Sequence, residues 1–164
     1  MLSIIQAKNE HLSDIYTMII ALAQYEGIEE KIKITRKGLE DLLFCAAPQH
    51  FVTAAILNDQ LVGFVMFNYT YHNICVNVLK GIYIENLYVL PAFRKQGVGT
   101  ALLQFVAGKA YHEACSRIEW WVSRENGAAS DFYQKIGAVA LNEWSIFKCD
   151  HRGIARLLEI GSVA

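Results

Sequence analysis

The stretch Arg94-Lys95-Gln96-Gly97-Val98-Gly99-Thr100-Ala101 constrains this chain most, because it joins an apolar run from Ile82 to Leu90 to an amphipathic run reaching about His112. A strand, a glycine turn and a helix in that order place a helix start at the end of a strand. Glycines there let main-chain N–H groups crowd toward an anion, and the unpaired donors and dipole of a first helical turn favour negative charge. The turn reads as a phosphate site, with a plain glycine-containing helix start as the alternative. A nucleoside-triphosphate loop needs Lys-Ser or Lys-Thr after its last glycine, and here Thr100-Ala101 follows Gly99. A dinucleotide fingerprint needs a third glycine where Leu102 stands. Both are excluded, which leaves an R-x-x-G-x-G turn.

With 164 residues the chain has room for one domain with a sizeable core, so residues 1–164 are expected to form a single domain. Hydrophobic residues make up 54% and charged ones 19%, more apolar surface than one small core hides, and a homodimer is expected to absorb the excess. No uninterrupted apolar stretch approaches the roughly 18 residues of a membrane span. Met1-Leu2-Ser3-Ile4-Ile5 has no positive leader. A soluble, cytoplasmic protein is expected. The net charge of −1 gives no attraction to nucleic acid or to an anionic membrane. Cys45, Cys75, Cys115 and Cys149 lack C-x-x-C spacing and read as reduced, mostly buried thiols. With no H-x-x-x-H pattern among the five histidines, no metal is implied.

Periodicity lays out the elements. Leu2 to Lys8 reads as a strand, Asn9 as the cap of a helix from Glu10 to about Tyr25, and a second helix follows Thr35. Phe51 to Leu57 and Gln60 to Tyr71 flank the turn pair Asn58-Asp59 and read as a hairpin. Gly81 to Leu90 is a further strand. Val98, Ala101, Leu102, Phe105 and Val106 mark the buried face of the helix after the glycine turn. Ile118 to Val122 reads as a strand, Ala128 to Ile136 as a helix, and Ala138 to Lys148 as a terminal β-hairpin. Asp150 caps a last helix to about Ile160. The fold class is α/β: one mixed, mostly antiparallel sheet with helices on both faces.

The glycine turn and this order of elements resemble the GCN5-related N-acetyltransferases, and the resemblance runs from about Ile4 to Leu158. Within them the diamine (spermidine/spermine) and thialysine acetyltransferases are most similar. The motifs that carry this are Ala23-Gln24-Tyr25-Glu26 with Glu29-Glu30, Gly63-Phe64, Tyr69-Thr70-Tyr71, Ile84-Glu85-Asn86-Leu87-Tyr88-Val89, and Asp131-Phe132-Tyr133-Gln134-Lys135-Ile136-Gly137-Ala138. The resemblance implies acetyl-CoA as acetyl donor. Its pantetheine would lie along the backbone of Leu87, Tyr88 and Val89, and its pyrophosphate against Arg94, Gln96, Gly97, Val98, Gly99 and Thr100. Asn126 would contact the pantetheine or position the catalytic end, with a plain helix cap as the alternative. Tyr133 would lie beside the thioester sulfur and protonate the departing thiolate. As a bare feature it reads as an ordinary core aromatic, and the Phe132-Tyr133-x-x-x-Gly137 context is what reverses that reading.

An alkyl amine with a pKa near 10.4 is neutral in only about one part in 2,500 at pH 7, so its proton must be removed at a cost of roughly 4–5 kcal/mol. Glu85 sits among apolar Ile84, Leu87 and Val89, and partial desolvation there would make it a useful base and an attractor of the ammonium. An exposed or salt-bridged strand position is the alternative. Tyr25, Glu26, Glu29 and Glu30 cluster at a helix end, where Tyr25 and Glu26 are candidates for holding a distal ammonium. A solvated charge run is the alternative there. Between Tyr71 and Glu85 the chain departs from the polyamine enzymes, with His72-Asn73-Ile74-Cys75 in place of acidic and tryptophan residues. The expected reaction is acetyl transfer to a primary amine of a small molecule, a diamine, polyamine or lysine-like amine. A non-catalytic acyl-CoA-binding regulatory module and a protein lysine or N-terminal acetyltransferase are the alternatives.

Overall fold

Asn58 and Asp59 both take positive φ, 50° and 64°, the left-handed pair that a two-residue type I′ hairpin turn requires. They fold β2 (His50–Leu57) back onto β3 (Gln60–Thr70). The computed structural model describes residues 1–71 and 80–159. They fall into two compact units, Met1–Trp121 and Val122–Ala164.

The first unit holds a five-stranded sheet in the order β1-β2-β3-β4-β5. β1 (Leu2–Gln6), β2, β3 and β4 (Gly81–Val89) pair antiparallel, and β5 (Ile118–Trp120) joins β4 in parallel. Parallel neighbours need a crossover, supplied here by α3 (Val98–His112). Alternate residues of the central strands feed two faces. Val52, Ala54, Phe64, Met66 and Tyr88 join Leu12, Ile15, Met18 and Leu22 of α1 (Leu12–Tyr25) and Leu39 and Leu43 of α2 (Arg36–Leu43) in one buried cluster that contains no residue of α3. The α3 helix lies against β1 to β4 through Val98, Leu102, Leu103, Val106 and Ala110. Helices therefore cover both faces. Fully buried Ile15, Leu39 and Leu102 each contribute roughly 1.5–3 kcal/mol of apolar burial.

One helix start differs from the sequence expectation in detail. The first helix is preceded by a 3-10 turn over Asn9–His11, where the His11 ring accepts from the Lys8 N–H at 3.0 Å, while Asn9 reaches across to Glu40 at 3.2 Å. Asn9 is thus not the cap. The second helix follows Thr35 as expected, and the Thr35 hydroxyl caps α2 by accepting from the Gly38 N–H at 3.0 Å. On α3, Phe105 is exposed, because it lies about 100° around the helix from the axis of the buried stripe. Of the cysteines read as buried thiols, Cys45 and Cys149 are exposed and Cys115 is half-buried; Cys75 lies outside the described residues, as does the departure at 72–75.

The second unit holds α4 (Gly127–Lys135) and α5 (His151–Glu159). Asp150 caps α5, accepting from the Gly153 N–H at 2.8 Å. The hairpin expected over Ala138 to Lys148 does not form: residues 138–150 carry a turn at Asn142-Glu143 and no strand ladder. Val139, Leu141, Trp144, Ile146 and Phe147 are 59–94% exposed. Apolar spacing of this kind marks a strand only where a neighbouring strand satisfies its backbone. Among the described residues no helix is long and apolar enough to cross a membrane.

Candidate active site

The β3–β4 register slips once, and the slip falls at Glu85. Met66 pairs with Asn86 and Phe67 with Ile84, leaving Glu85 as an extra residue on β4. A bulge of this kind re-aims side chains and shifts the alternation by one. Before it, Tyr83 faces the α1/α2 side through its partner Asn68; after it, Tyr88 does so as part of the buried cluster. Ile84 and Leu87 are therefore on the opposite face from Tyr88, against the α3 side. The apolar neighbours that the sequence placed around Glu85 are not around its carboxylate. Its side chain is 36% exposed, so the desolvation expected of it is incomplete.

What surrounds Glu85 is polar. Asn68 donates Nδ2–H to Glu85 Oε1 at 3.1 Å, and His50 Nε2 lies 3.8 Å from the same oxygen. His50 pairs with Asn68, Asn68 with Tyr83, and Tyr83 with Glu119, so four polar side chains rank across β2, β3, β4 and β5 on one face. The Tyr83 phenol is pushed up to about 12 by burial first, then by the charges of Glu85 and Glu119. It stays protonated at any working pH. Its ring meets Trp121 edge-on at 5.7 Å. Glu119 forms an ion pair with Arg117 at 3.0 Å. Arg117 lies over Gly81, where a Cβ would come within 2.9 Å of its Cγ.

The far end of β4 leads to the glycine turn. β5 pairs only with Ile82 to Ile84, so among the described residues the β4 edge from Glu85 to Val89, including Leu87 and Tyr88, has no strand beside it. On the other side β3 approaches closely at Gly63, where an added Cβ would lie 2.8 Å from the Tyr88 carbonyl oxygen. Lys95 and Gly97 take positive φ, 60° and 83°, and Gly97 is the N-cap of α3 with no side chain capping it. The first-turn N–H groups of Val98, Gly99 and Thr100 are thereby left for another acceptor. The space where a Gly97 Cβ would project is open. Buried Val98 pins the helix start to the core. An uncapped helix start beside open space and an unpaired strand edge fit a diphosphate followed by an extended amide-bearing arm.

The structure places two expected phosphate ligands differently from a simple anion clamp. Arg94 donates Nε–H to the Val89 carbonyl at 2.9 Å and stacks its guanidinium over Tyr25 at 4.9 Å and Tyr88 at 5.5 Å. It fixes the turn to the end of β4 and covers one face of Tyr25. Gln96 turns its amide back to the Ala92 carbonyl at 2.9 Å. Glu26 remains largely exposed, and the part that is covered pushes its carboxyl above the ordinary value. Glu29 and Glu30 are exposed on a 3-10 turn.

In the second unit, Asn126 caps α4, its Oδ1 accepting from the Ala129 N–H at 3.1 Å. Tyr133 is half-buried on α4, its ring 5.4 Å from that of Phe132. Its carbonyl accepts from the Ala138 N–H at 3.0 Å, part of the helix stop at Gly137, whose φ is 91°.

Residues 15–138, most of the chain and all of the turn, match the acetyltransferase (GNAT) family. The chain belongs to that family. It is an N-acetyltransferase, and GNAT enzymes take acetyl-CoA as cosubstrate and an amine as acceptor. A thialysine N-epsilon-acetyltransferase of Bos taurus is 30% identical, over 93% of this chain and 94% of that one. An L-ornithine N5-acetyltransferase of Arabidopsis thaliana is 36% identical over 55% of this chain and 39% of that one. Among solved structures, an integron cassette protein from Vibrio cholerae superposes with a TM-score of 0.78 at 23% identity, covering 96% and 98% of the two chains. An aminoglycoside acetyltransferase from a soil metagenome gives 0.74 at 17% identity, covering 91% and 95%. These two establish the shared fold of the GNAT enzyme described here.

Sequence reasoning missed His50, Asn68, Tyr83 and Glu119. Their signal is pairwise: it appears only once the strand register is known.

Proposed function

We propose that this GNAT enzyme transfers acetyl from acetyl-CoA to the primary amine of a small diamine or lysine-like amino acid, by direct attack in a ternary complex. The observation that carries this reading is the carboxylate of Glu85, raised on a bulge into an open polar rank at the point where the unpaired β4 edge begins. In this reading the N–H groups at Gly97, Val98, Gly99 and Thr100 hold the diphosphate, with Arg94 bracing the turn, and the Glu85–Val89 edge receives the pantetheine amides. Glu85 draws in the ammonium and takes its proton, directly or through a water, which its partial exposure accommodates. The freed amine attacks the thioester carbonyl carbon, the C–S bond breaks, and Tyr133 gives a proton to the thiolate, while the nitrogen's second proton leaves to water as the amide forms and the Tyr133 phenol is reprotonated from solvent. Tyr25 and Glu26 face the distal cation. The relatives named for thialysine and ornithine support a lysine-like acceptor.

The same reading takes residues 1–164 as one catalytic domain of a cytoplasmic homodimer, in which a second copy covers the exposed apolar residues near 139–147. The test is thiol release from acetyl-CoA against a panel of diamines, polyamines, lysine analogues and amino acids, with Glu85→Gln alongside. Release with ornithine- or lysine-like amines, lost in the variant by about a hundredfold, is expected. No release with any amine would instead favour an acyl-CoA-binding regulatory module.

A further inference from the structure

The reading above uses Glu85 but gives no role to His50 or Asn68, and their arrangement is costly if it is only structural. Each carries one buried polar atom, His50 Nδ1 and Asn68 Oδ1, with no hydrogen-bond partner among the described residues. Leaving such an atom unsatisfied is destabilising, and a pair of valines at the same register would avoid it. Both side chains instead converge on a single oxygen, Glu85 Oε1, at 3.1 and 3.8 Å. They reach it from two neighbouring strands, and only because the bulge turns Glu85 toward them.

We propose that His50 is a positioning residue for Glu85, acting together with Asn68. The inference rests on the reading of Glu85 as the base. With its ring hydrogen on Nε2, His50 aims a donor at Oε1 and leaves buried Nδ1 as a bare acceptor. At 3.8 Å the two are beyond direct hydrogen-bond range, so a small ring movement or a bridging water completes the contact. Two donors on Oε1 hold the carboxylate in one orientation and leave Oε2 as the basic atom facing the substrate amine.

The experiment is a double-mutant cycle on the full chain, with steady-state kinetics against the best amine of the panel. His50→Leu is expected to lower kcat about tenfold, the worth of a hydrogen bond to a charged group, with KM for acetyl-CoA unchanged within twofold. His50→Gln, which keeps a donor of similar reach, is expected to restore kcat to within about threefold of the parent. In a Glu85→Gln background, His50→Leu should have no further effect, because there is no carboxylate left to position. A Glu85→Gln variant with undiminished turnover would overturn the base assignment itself. A crippled Glu85→Gln variant beside an undiminished His50→Leu variant would overturn this proposal alone. Equal losses from His50→Leu in both backgrounds would overturn it as well, since that is what a structural role produces. If His50→Leu does not fold, the same two comparisons are made with His50→Ala and with Asn68→Leu, each of which removes a donor from Glu85.

Discussion

Replacing Gly97 with alanine separates what the turn does for stability from what it does for the ligand. Gly97 holds φ at 83° as the N-cap of α3, and an added methyl would meet nothing within 4 Å. Steric clash therefore contributes nothing to the outcome, and the cost is conformational. An L-residue held in the left-handed region costs about 1–2 kcal/mol. In a chain of this size that lowers Tm by roughly 2–4 °C per kcal/mol. Relief of the strain re-aims the free first-turn N–H groups of Val98, Gly99 and Thr100. Weakening one or two charge-assisted bonds of about 1.5–3 kcal/mol each should then raise the Kd for coenzyme A about tenfold to a hundredfold. Thermal melts without ligand and calorimetric titration with coenzyme A read the two effects separately. A lowered Tm with coenzyme A affinity unchanged within twofold would refute the placement of the diphosphate at this turn.

Three further outcomes follow from other parts of the molecule. Glu113 ties the end of α3 to the sheet through Lys80 at 2.7 Å and Tyr69 at 2.6 Å and pairs with Lys109 of its own helix at 2.7 Å, and these partners hold its carboxyl at about 2. A folded-state value below the ordinary 4.5 stabilises the fold above about pH 4.5, and that contribution is lost as pH falls toward 2. Discounted for solvent screening it is worth about 1 kcal/mol, so Glu113→Gln should lose that much in urea denaturation at pH 7, and the difference from the parent should shrink between pH 5 and pH 2. Gly63→Ala places a methyl 2.8 Å from the Tyr88 carbonyl oxygen and should cost about 1–3 kcal/mol by forcing β3 and β4 apart; an unaltered Tm would contradict that close approach. Tyr133→Phe should reduce kcat about a hundredfold with coenzyme A affinity preserved, and unchanged turnover would remove Tyr133 from the chemistry.

Most elements were legible because their signals are local. The Asn58-Asp59 pair, the Thr35 and Asp150 caps and the 3.6-residue stripe of α1 each depend on residues within a turn or two of one another. The site was legible only where it is local too. The glycine turn announces itself, but the environment of Glu85 depends on two register slips. Counting back from the hairpin turn pairs His50 with Phe67; the slip between Ala55 and Ile56 makes the partner Asn68, one residue on and on the other face. The second slip lifts Glu85 out of the apolar company that its sequence neighbours imply. Arg94 reads as a phosphate ligand from its place in the motif, while its stacking on Tyr25 and Tyr88 joins segments far apart in the chain. The alternation from Ala138 to Lys148 misled for the converse reason, since a strand needs a partner that its own sequence does not name.

The central claim is that the Gly97 turn and the free edge of β4 together aim an acetyl group at Glu85. A crystal structure of the coenzyme A complex tests it most directly. The diphosphate is predicted within hydrogen-bond distance of the N–H groups of Gly97, Val98 and Gly99, with the pantetheine running beside residues 85–89 and its sulfur ending near the Glu85 carboxylate. A diphosphate bound elsewhere, or a sulfur directed away from Glu85, would contradict it.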